Sequence, residues 1–525
     1  MDSADTMERA AGAAETSLFD WTGANMRRAP DAVFIDSIDQ DKTITHGQFW
    51  TVTNRIAQYL KARGIGPGDR VAMLSSNSIE HLAAYIGTMR YGATICTIHV
   101  EMNAVYFEQI LNALDPKIVL FEETDGRIDA ARLQAATRGE WIPLGEWRAE
   151  GGSTGFFGAI ESLPDEPVPP VSRAEDDASI FYTSGTASAP KGVILTFREL
   201  IENTPPVAEG LALTAADRIL EFRAFNWVSA QVLSGLAPLS VGATILLARK
   251  FSQSRYFDWV RGKKATIGIC NPTGLAMFLN RPVEIDRKEI PHLRFMTSSS
   301  APLMPETWRQ FEERYGVPVA QGYGCSEIGW ICVTNEHSRK MGTVGRPLAY
   351  HDLAVVDADG NPLPQGETGE IELGGFRSNT YRYIGDDGEE HVHARNRLRT
   401  GDLGCFDEDG CLRITGRAKD LIIRGGVNIS PAEIENVLLQ LAELAEAATI
   451  GVPDPIYGEE VVCYVAPRHG CTVTADAVLA HCRDRLPDFR MPKQVVVRDA
   501  LPKTERGKMH RLQLLDEWKA EFGTA

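Results

Sequence analysis

Two segments of this chain repeat one another. The stretches GDRVAMLSSNSIEHLAAYIGTMRYGATICTI, from Gly68, and ADRILEFRAFNWVSAQVLSGLAPLSVGATILLA, from Ala216, both open on Asp-Arg and run through an apolar stretch and a helix-like one. Both then reach Gly-Ala-Thr before a second apolar stretch. The intervals from Asp69 to Gly92 and from Asp217 to Gly242 agree to within two residues. Each segment continues into another helix-like run and strand, AVYFEQILNALDPKIVLF and SRYFDWVRGKKATIGIC. Strand, helix, strand, helix, strand, written twice, predicts two parallel sheet layers in an α/β domain.

The rest of the chain changes pattern twice. Between about Pro347 and Gly416 the runs are short and alternating (DLAVVDADGNPL, GEIELGG, GCFDEDGCLRITG), broken by D-G, G-N and P-Q turns, which reads as antiparallel β-structure. After Gly416 comes a helix, SPAEIENVLLQLAEL, with Ser430 as N-cap and Pro431 at its first position. Strands AEAATIGV and GEEVVCYVAP, a further helix and the run KQVVVRDALP follow. These predict a separate α+β domain of roughly 105 residues, an ordinary domain size. The expected boundary divides residues 1–417 from 418–525.

Charge and composition narrow the partners. Lys and Arg number 54 against 71 Asp and Glu, a net charge of -17 that offers nucleic acid or an anionic membrane no broad attraction. The opening MDSADTMERAAGAAETSLFDW carries acids early, unlike a signal peptide, and no uninterrupted apolar run reaches the about 18 residues of a membrane span. The nine cysteines form no C-x-x-C pair, which points to reduced thiols in a cytoplasmic protein.

One loop poses a chemical question. In SIFYTSGTASAPKGVILTF, Ser179 to Phe197, the spacing of Gly185 and Pro190-Lys191-Gly192 nearly matches a Walker A loop. Pro190 replaces the second glycine, and Gly192 replaces the Mg²⁺-binding Ser or Thr. A Walker loop leads into a helix, whereas VILTF reads as a strand, so this loop joins two strands. Thr183, Ser184, Gly185, Thr186, Ser188 and Lys191 still offer hydroxyls, backbone N–H groups and a cation to a polyphosphate. A Ser/Thr/Gly-rich surface turn explains the stretch alone equally well, and any Mg²⁺ ligand must come from elsewhere.

The loop does not stand alone. YTSGTASAPKGV is followed, in order, by QGYGCSE (Gln321 to Glu327), GETGEIELGG (Gly366 to Gly375), RTGDLG (Arg399 to Gly404), GRAKDLIIRGGVNISPAEIE (Gly416 to Glu435) and PKTERGKMHR (Pro502 to Arg511). This set resembles the AMP-forming adenylating superfamily of acyl-CoA synthetases, peptide-synthetase adenylation domains and firefly luciferase. The resemblance implies a large N-terminal domain of two βα sheets plus a distorted β-barrel, and a small mobile C-terminal domain. It implies ATP, Mg²⁺ and coenzyme A as co-reactants. By the same resemblance Glu327 holds Mg²⁺, Ser326 meets the α-phosphate, and Lys508 bridges carboxylate and phosphate oxygens. Asp402 grips the ribose hydroxyls with Arg417 nearby, and the adenine lies against Tyr323 and the backbone of Ser300-Ala301-Pro302. The C-terminal domain swings about a hinge at Lys419, bringing Gly425 and Gly426 to the pantetheine arm.

Some positions depart from the family pattern. Ala187 and Ser188 replace a hydroxyl residue and a glycine, and Phe197 stands where a histidine is common. In RAFNWVSAQ the sequence is Phe225-Asn226-Trp227, where amino-acid-activating members show Phe-Asp; Asn226 cannot balance an α-ammonium, so amino acids are disfavoured. Either Phe225 or Asn226 holds the gate position. Phe225, Trp227 and Trp330 bring bulky rings to the acyl side, which favours a compact, uncharged or aromatic acid over a long chain. The stretch around Ala230-Gln231 and the ARKFS run is loosely similar to carnitine and crotonobetaine CoA ligases. His391 and His393 read as an exposed polar loop and Cys325 as a packing residue.

The expected activity is therefore an acid:CoA ligase forming AMP, acting on a small carboxylic acid. Two alternatives stay open: an enzyme loading its acid onto a carrier protein, and a nucleotide binder without turnover. A homodimer is an assembly the sequence leaves open.

Overall fold

The structure is a computed structural model that describes residues 17–523 except 103, 184–190, 375–379, 386, 395–396 and 505–507. The first hairpin is β1 (Val33–Ser37) and β2 (Lys42–Thr45). The first repeat supplies β3 (Arg70–Leu74), β4 (Thr94–Ile98) and β5 (Ile118–Phe121), followed by β6 (Glu140–Pro143), β7 (Asp177–Thr183) and β8 (Lys191–Thr196). The second supplies β9 (Arg218–Glu221), β10 (Thr244–Leu247) and β11 (Ile267–Ile269), followed by β12 (Phe295–Ser298) and β13 (Val319–Gln321).

The two repeats build two separate sheets with one topology. In each, the first strand lies between the other two in parallel register: β4-β3-β5 within one sheet and β10-β9-β11 within the other. The reason is local. In both, the helical stretch after the first strand ends on a glycine in the left-handed region, Gly92 at φ 108° and Gly242 at φ 77°, which turns the chain into the next strand. The repeats differ in those helices. Ile79–Tyr91 is regular, whereas the second stretch passes from a turn at Val228–Ala230 through a π-helical segment, Gln231–Leu236, to Ala237–Val241.

The remaining elements are β14 (Tyr323–Cys325), β15 (Gly329–Cys332), β16 (Asp352–Val356), β17 (Gly369–Gly374), β18 (Thr380–Ile384), β19 (Glu390–Ala394), β20 (Leu398–Phe406) and β21 (Leu412–Arg417). The antiparallel sheet β16-β17-β20-β21 and the β14-β15 hairpin share a core that includes Ile328, Ile331, Ile371, Leu373 and Leu412. β18 and β19 leave this layer and extend the edge of the first repeat's sheet beside β8. His391 and His393 therefore stand on a strand, not in the expected loop.

From Ile422 onward the chain forms its own sheet. It comprises β22 (Ile422–Arg424), β23 (Val427–Ile429), β24 (Leu444–Asp454), β25 (Gly458–Pro467) and β26 (Gln494–Val497), with helices Pro431–Leu438, Ala475–Arg483 and Arg511–Phe522. The sheet has apolar clusters on both faces, one around Ile434 and Val461, the other around Ile450 and Leu514. The fold is thus mixed α/β, with a large N-terminal domain and a small C-terminal one. Ser430 occupies the expected N-cap position, but its hydroxyl donates to the carbonyl of Thr415 and makes no cap bond. Phe197, expected to end a strand, begins helix Phe197–Gly210, because Thr196 and Glu199 form a capping box.

Candidate active site

Asp402 lies near the middle of β20, opposite Arg417 on β21. Its carboxylate is buried and bonded on both oxygens: Tyr323 Oη donates to Oδ2 at 2.8 Å, and Arg417 Nε approaches Oδ1 at 3.0 Å. The Asp402 N–H donates to Thr400 Oγ1. Burial, reinforced by the Asp402 charge, pushes the Tyr323 phenol well above its ordinary pKa, so it remains a donor and the ring is held in one orientation. Each carboxylate oxygen has two acceptor positions, so one on each is left for the paired hydroxyls of a ribose.

The Ser300-Ala301-Pro302 segment follows β12. Ser300 adopts φ 75°, a left-handed conformation that costs a non-glycine residue about 1–3 kcal/mol and that concentrates at functional sites. Gln321, at the end of β13, donates to the Ala301 carbonyl at 3.3 Å, and its own carbonyl accepts from Thr334. The backbone of Ser300-Ala301-Pro302 is thereby tied to the strand that leads into Tyr323.

Ser326 and Glu327 are half-buried in the turn between β14 and β15. The Cys325 thiol is pushed far above its ordinary pKa by burial and by the neighbouring Glu327 and Asp402 carboxylates. It is a protonated packing group, not a nucleophile. Among the described residues no three His, Cys, Asp or Glu side chains gather into a metal cage. Thr183 ends β7 and Lys191 opens β8, its ammonium 4.7 Å from the Tyr383 ring centroid, so the loop does join two antiparallel strands. Ser184, Gly185, Thr186, Ala187, Ser188 and Pro190 lie outside the described residues.

The RAFNWVSAQ segment follows β9. Phe225 is fully buried, its ring in the apolar core beside Gly235, while Asn226 is 2 % exposed with its Nδ2 unpartnered. Trp227 is half-buried and stacks on His99 with centroids 5.5 Å apart. Trp330 is buried on β15, its indole N–H donating to the Ser229 carbonyl, so the two tryptophan-bearing segments are joined. Its backbone carbonyl accepts from Asn203 Nδ2, Tyr350 Oη and His351 Nε2, at 2.9–3.0 Å. Arg223 is held by the fully buried Glu221 through Nε and Nη2 and reaches Ser299 with Nη1.

In the C-terminal domain the Thr504 N–H donates to the Lys508 carbonyl, and the Lys508 N–H donates to Thr504 Oγ1. Lys419 is exposed in a single turn, Ala418–Asp420, between β21 and β22. Gly425 and Gly426 form the tip of the β22-β23 hairpin at φ 57° and 83°. His391, on β19, bonds Asp387 and stacks on Tyr383.

Two residues in this region, Asn77 and His351, lie in no sequence motif, and Arg223 and Gln231 stand in RAFNWVSAQ without a role of their own. The available signal was position, since Asn77, Arg223 and Ser299 all follow the carboxyl ends of parallel strands, where open α/β sheets bind ligands.

A two-sheet α/β body, a buried carboxylate with acceptor positions to spare beside a fixed aromatic ring, and a C-terminal domain with its own lysine-bearing turn define an adenylate-forming nucleotide enzyme. The chain belongs to the AMP-binding enzyme family: that family matches residues 23–381, and the AMP-binding enzyme C-terminal domain matches 433–508. The chain is 33% identical to sulfoacetate–CoA ligase of Cupriavidus necator, over 93% of its own length and 95% of the relative's. It is 31% identical to oxalate–CoA ligase of Arabidopsis thaliana, over 90% and 93%. ATP-bound MatB from Rhodopseudomonas palustris superposes with a TM-score of 0.85 at 27% identity, covering 97% of this chain and 99% of that one; the apo form of MatB gives 0.77. With near full-length matches of this kind, the chain is an ATP-dependent, AMP-forming acid–CoA ligase.

Proposed function

We propose that the protein joins a compact carboxylic acid to coenzyme A through an acyl-adenylate, with residues 1–417 as the body and 418–525 as a lid hinged at Lys419. In the first step a carboxylate oxygen of the acid attacks the α-phosphorus of ATP and pyrophosphate leaves. Repulsion between the anions is the barrier, so positioning and positive charge carry the catalysis. Asp402 and Tyr323 hold the nucleoside, Glu327 would hold Mg²⁺, which neutralises phosphate charge when bound, and Ser326 and Lys508 meet the oxygens at the reacting centre. In the second step the lid turns, Gly425 and Gly426 admit the pantetheine arm, the thiol sulfur attacks the acyl carbon, and AMP leaves.

The single observation that carries this reading is the Tyr323–Asp402–Arg417 arrangement, a buried carboxylate already oriented yet with an acceptor position open on each oxygen. A compact acid fits the anchored Trp330 and the Trp227–His99 stack, which narrow the acid side. Sulfoacetate, oxalate and indoleacetate, named for three relatives, are compact acids; a fourth is named for long-chain fatty acids. A reducing cytoplasm suits nine free cysteines.

The test is AMP release from ATP and Mg²⁺ with a panel of free acids, with coenzyme A or a carrier protein as acceptor. We expect AMP and acyl-CoA in equal amounts with an optimum among short or single-ring acids. An optimum at palmitate would remove the compact-acid proposal. Thioester formed only on a carrier protein would replace the acceptor, and no acid-dependent exchange of pyrophosphate into ATP would leave a nucleotide binder.

A further inference from the structure

The Phe225 backbone is held in an unusual way. Its N–H donates to Asn77 Oδ1 at 2.9 Å, and its carbonyl accepts from Gln231 Nε2 at 2.8 Å. Both backbone groups of one residue are thus taken by side-chain amides, and those amides come from opposite halves of the repeat. Asn77 follows β3 of the first sheet, and its Nδ2 also donates to the carbonyls of Arg223, at 2.8 Å, and Ala248, at 3.2 Å. One buried side chain therefore ties the loops after β9 and β10 to the end of β3. Gln231 belongs to the second repeat, and its Nε2 also donates to Thr97 Oγ1 on β4, at 3.0 Å. The two bridges cross the seam between the sheets in opposite directions.

A second observation concerns Gln231 itself. It is fully buried and opens the π-helical segment Gln231–Leu236, the feature that separates this helix from its counterpart in the first repeat. π-helical turns are rare and are found disproportionately at functional sites, where they re-aim a side chain that a regular helix would point elsewhere. Here the re-aimed group is the amide that reaches back to Phe225. Buried backbone groups must be paired, and a loop can pair them in many ways; this loop is given a single solution by two amides. The residues that follow directly are Asn226 and Trp227.

We propose that Asn77 and Gln231 are positioning residues for the carboxylic acid: they clamp the Phe225 peptide units across the seam of the two sheets, so that Asn226 and Trp227 meet the acid in one geometry. The proposal rests on the reading of this segment as the acid side of the site. Neither residue touches the nucleotide elements around Asp402, so loosening the clamp changes recognition of the acid and leaves that of ATP.

Isosteric variants test it. Asn77→Asp keeps the acceptor for Phe225 but turns the donors toward Arg223 and Ala248 into an anion facing carbonyls; Gln231→Glu removes the donor to the Phe225 carbonyl and sets an anion against it, while the Thr97 hydroxyl can turn to donate. We expect either to raise KM for the acid about tenfold while KM for ATP stays within about twofold, a split that a general loss of stability does not produce. Hydrogen exchange of the 223–231 backbone, measured without substrates, should quicken in both variants. Parallel rises in both KM values, or unchanged exchange in that segment, would overturn the proposal, as would unfolding of both isosteres at the assay temperature. A wild-type enzyme inactive on every acid would instead remove the ligase reading, and the exchange measurement would still report on the clamp.

Discussion

The nucleotide and acid side of the molecule and the β22-β23 hairpin are built on opposite principles. Asp402, Phe225 and Trp330 are buried, and their own polar groups are already bonded to protein partners. The hairpin exposes apolar side chains: Ile423 is 54% exposed, and on neighbouring loops Ile456 is 82% and Tyr457 47% exposed. Its tip is two glycines, anchored by one bond from the Gly425 N–H to the Tyr457 carbonyl, and Arg424 lies over the Tyr457 ring with its charge matched by Glu460. A preset pocket suits a step governed by orientation and charge. An exposed apolar rim around a thin tip suits a surface that must close over something. The proposed function gives the two half-reactions to these two regions, and variants can separate them.

The largest separation is expected from Lys508→Ala. In the proposed function the lysine acts only in the first step, so adenylate formation should fall by about a thousandfold or more, while thioester formation from a supplied acyl-adenylate stays within about threefold. Equal losses in both half-reactions would abolish the comparison. Glu327→Gln comes next. Removing a hard oxygen charge should lower adenylation by about a hundredfold and raise the Mg²⁺ concentration required, with the melting temperature unchanged within about 2 °C. Unaltered Mg²⁺ dependence in a folded variant would remove Glu327 from the metal.

Gly426→Val tests the other region. A Cβ at this position meets nothing within 4 Å, so packing is untouched, but φ is 83°, where a β-branched residue is strained. The tip should shift, slowing thioester formation by about tenfold and leaving acid-dependent pyrophosphate exchange at the wild-type rate. A drop in exchange instead would mean that the hairpin also serves the first step.

The two regions were not equally legible in the sequence. The hairpin's glycines were visible in IIRGGVNIS, but the run read as a loop before a helix and its two short flanking strands went unread. The sheets were visible because the repeat spells their strands and helices in order. Asp402, Tyr323 and Glu327 sit in short motifs, whereas Asn77 and Gln231 act on partners 148 and 134 residues away, and no local pattern records such a distance. The π-helical segment hid inside an apolar run, since period alone cannot show one extra residue in a turn. The His391–His393 stretch read as a polar loop but forms β19, and alternation does not say which sheet edge a strand joins. Ser430 illustrates the same limit on a small scale: its position marked a helix start, and a tertiary acceptor, the Thr415 carbonyl, took the hydroxyl.

The smallest expected effect concerns acid. His351 is half-buried, and its Nε2 lies 2.9 Å from the Trp330 carbonyl, so that nitrogen carries the hydrogen. Burial outweighs the bond to Trp330 and holds the ring well below its ordinary value, at about 4. His81, fully buried near the end of β3, is lowered to about 3 for the same reason. The folded protein keeps both rings neutral, while an unfolded chain takes up protons near pH 6.5. Stability from the neutral rings is therefore full above about pH 6.5 and declines as pH falls toward 4. Thermal melts from pH 7 to pH 4.5 should show a falling midpoint, and His351→Gln, which keeps a donor for Trp330 but cannot be protonated, should flatten part of that slope by a few °C at most. The slope left in the variant belongs in part to His81, and a second substitution, His81→Gln, should reduce it further. A slope identical in wild type and His351→Gln would show that the buried side of the site owes nothing to this histidine's neutrality.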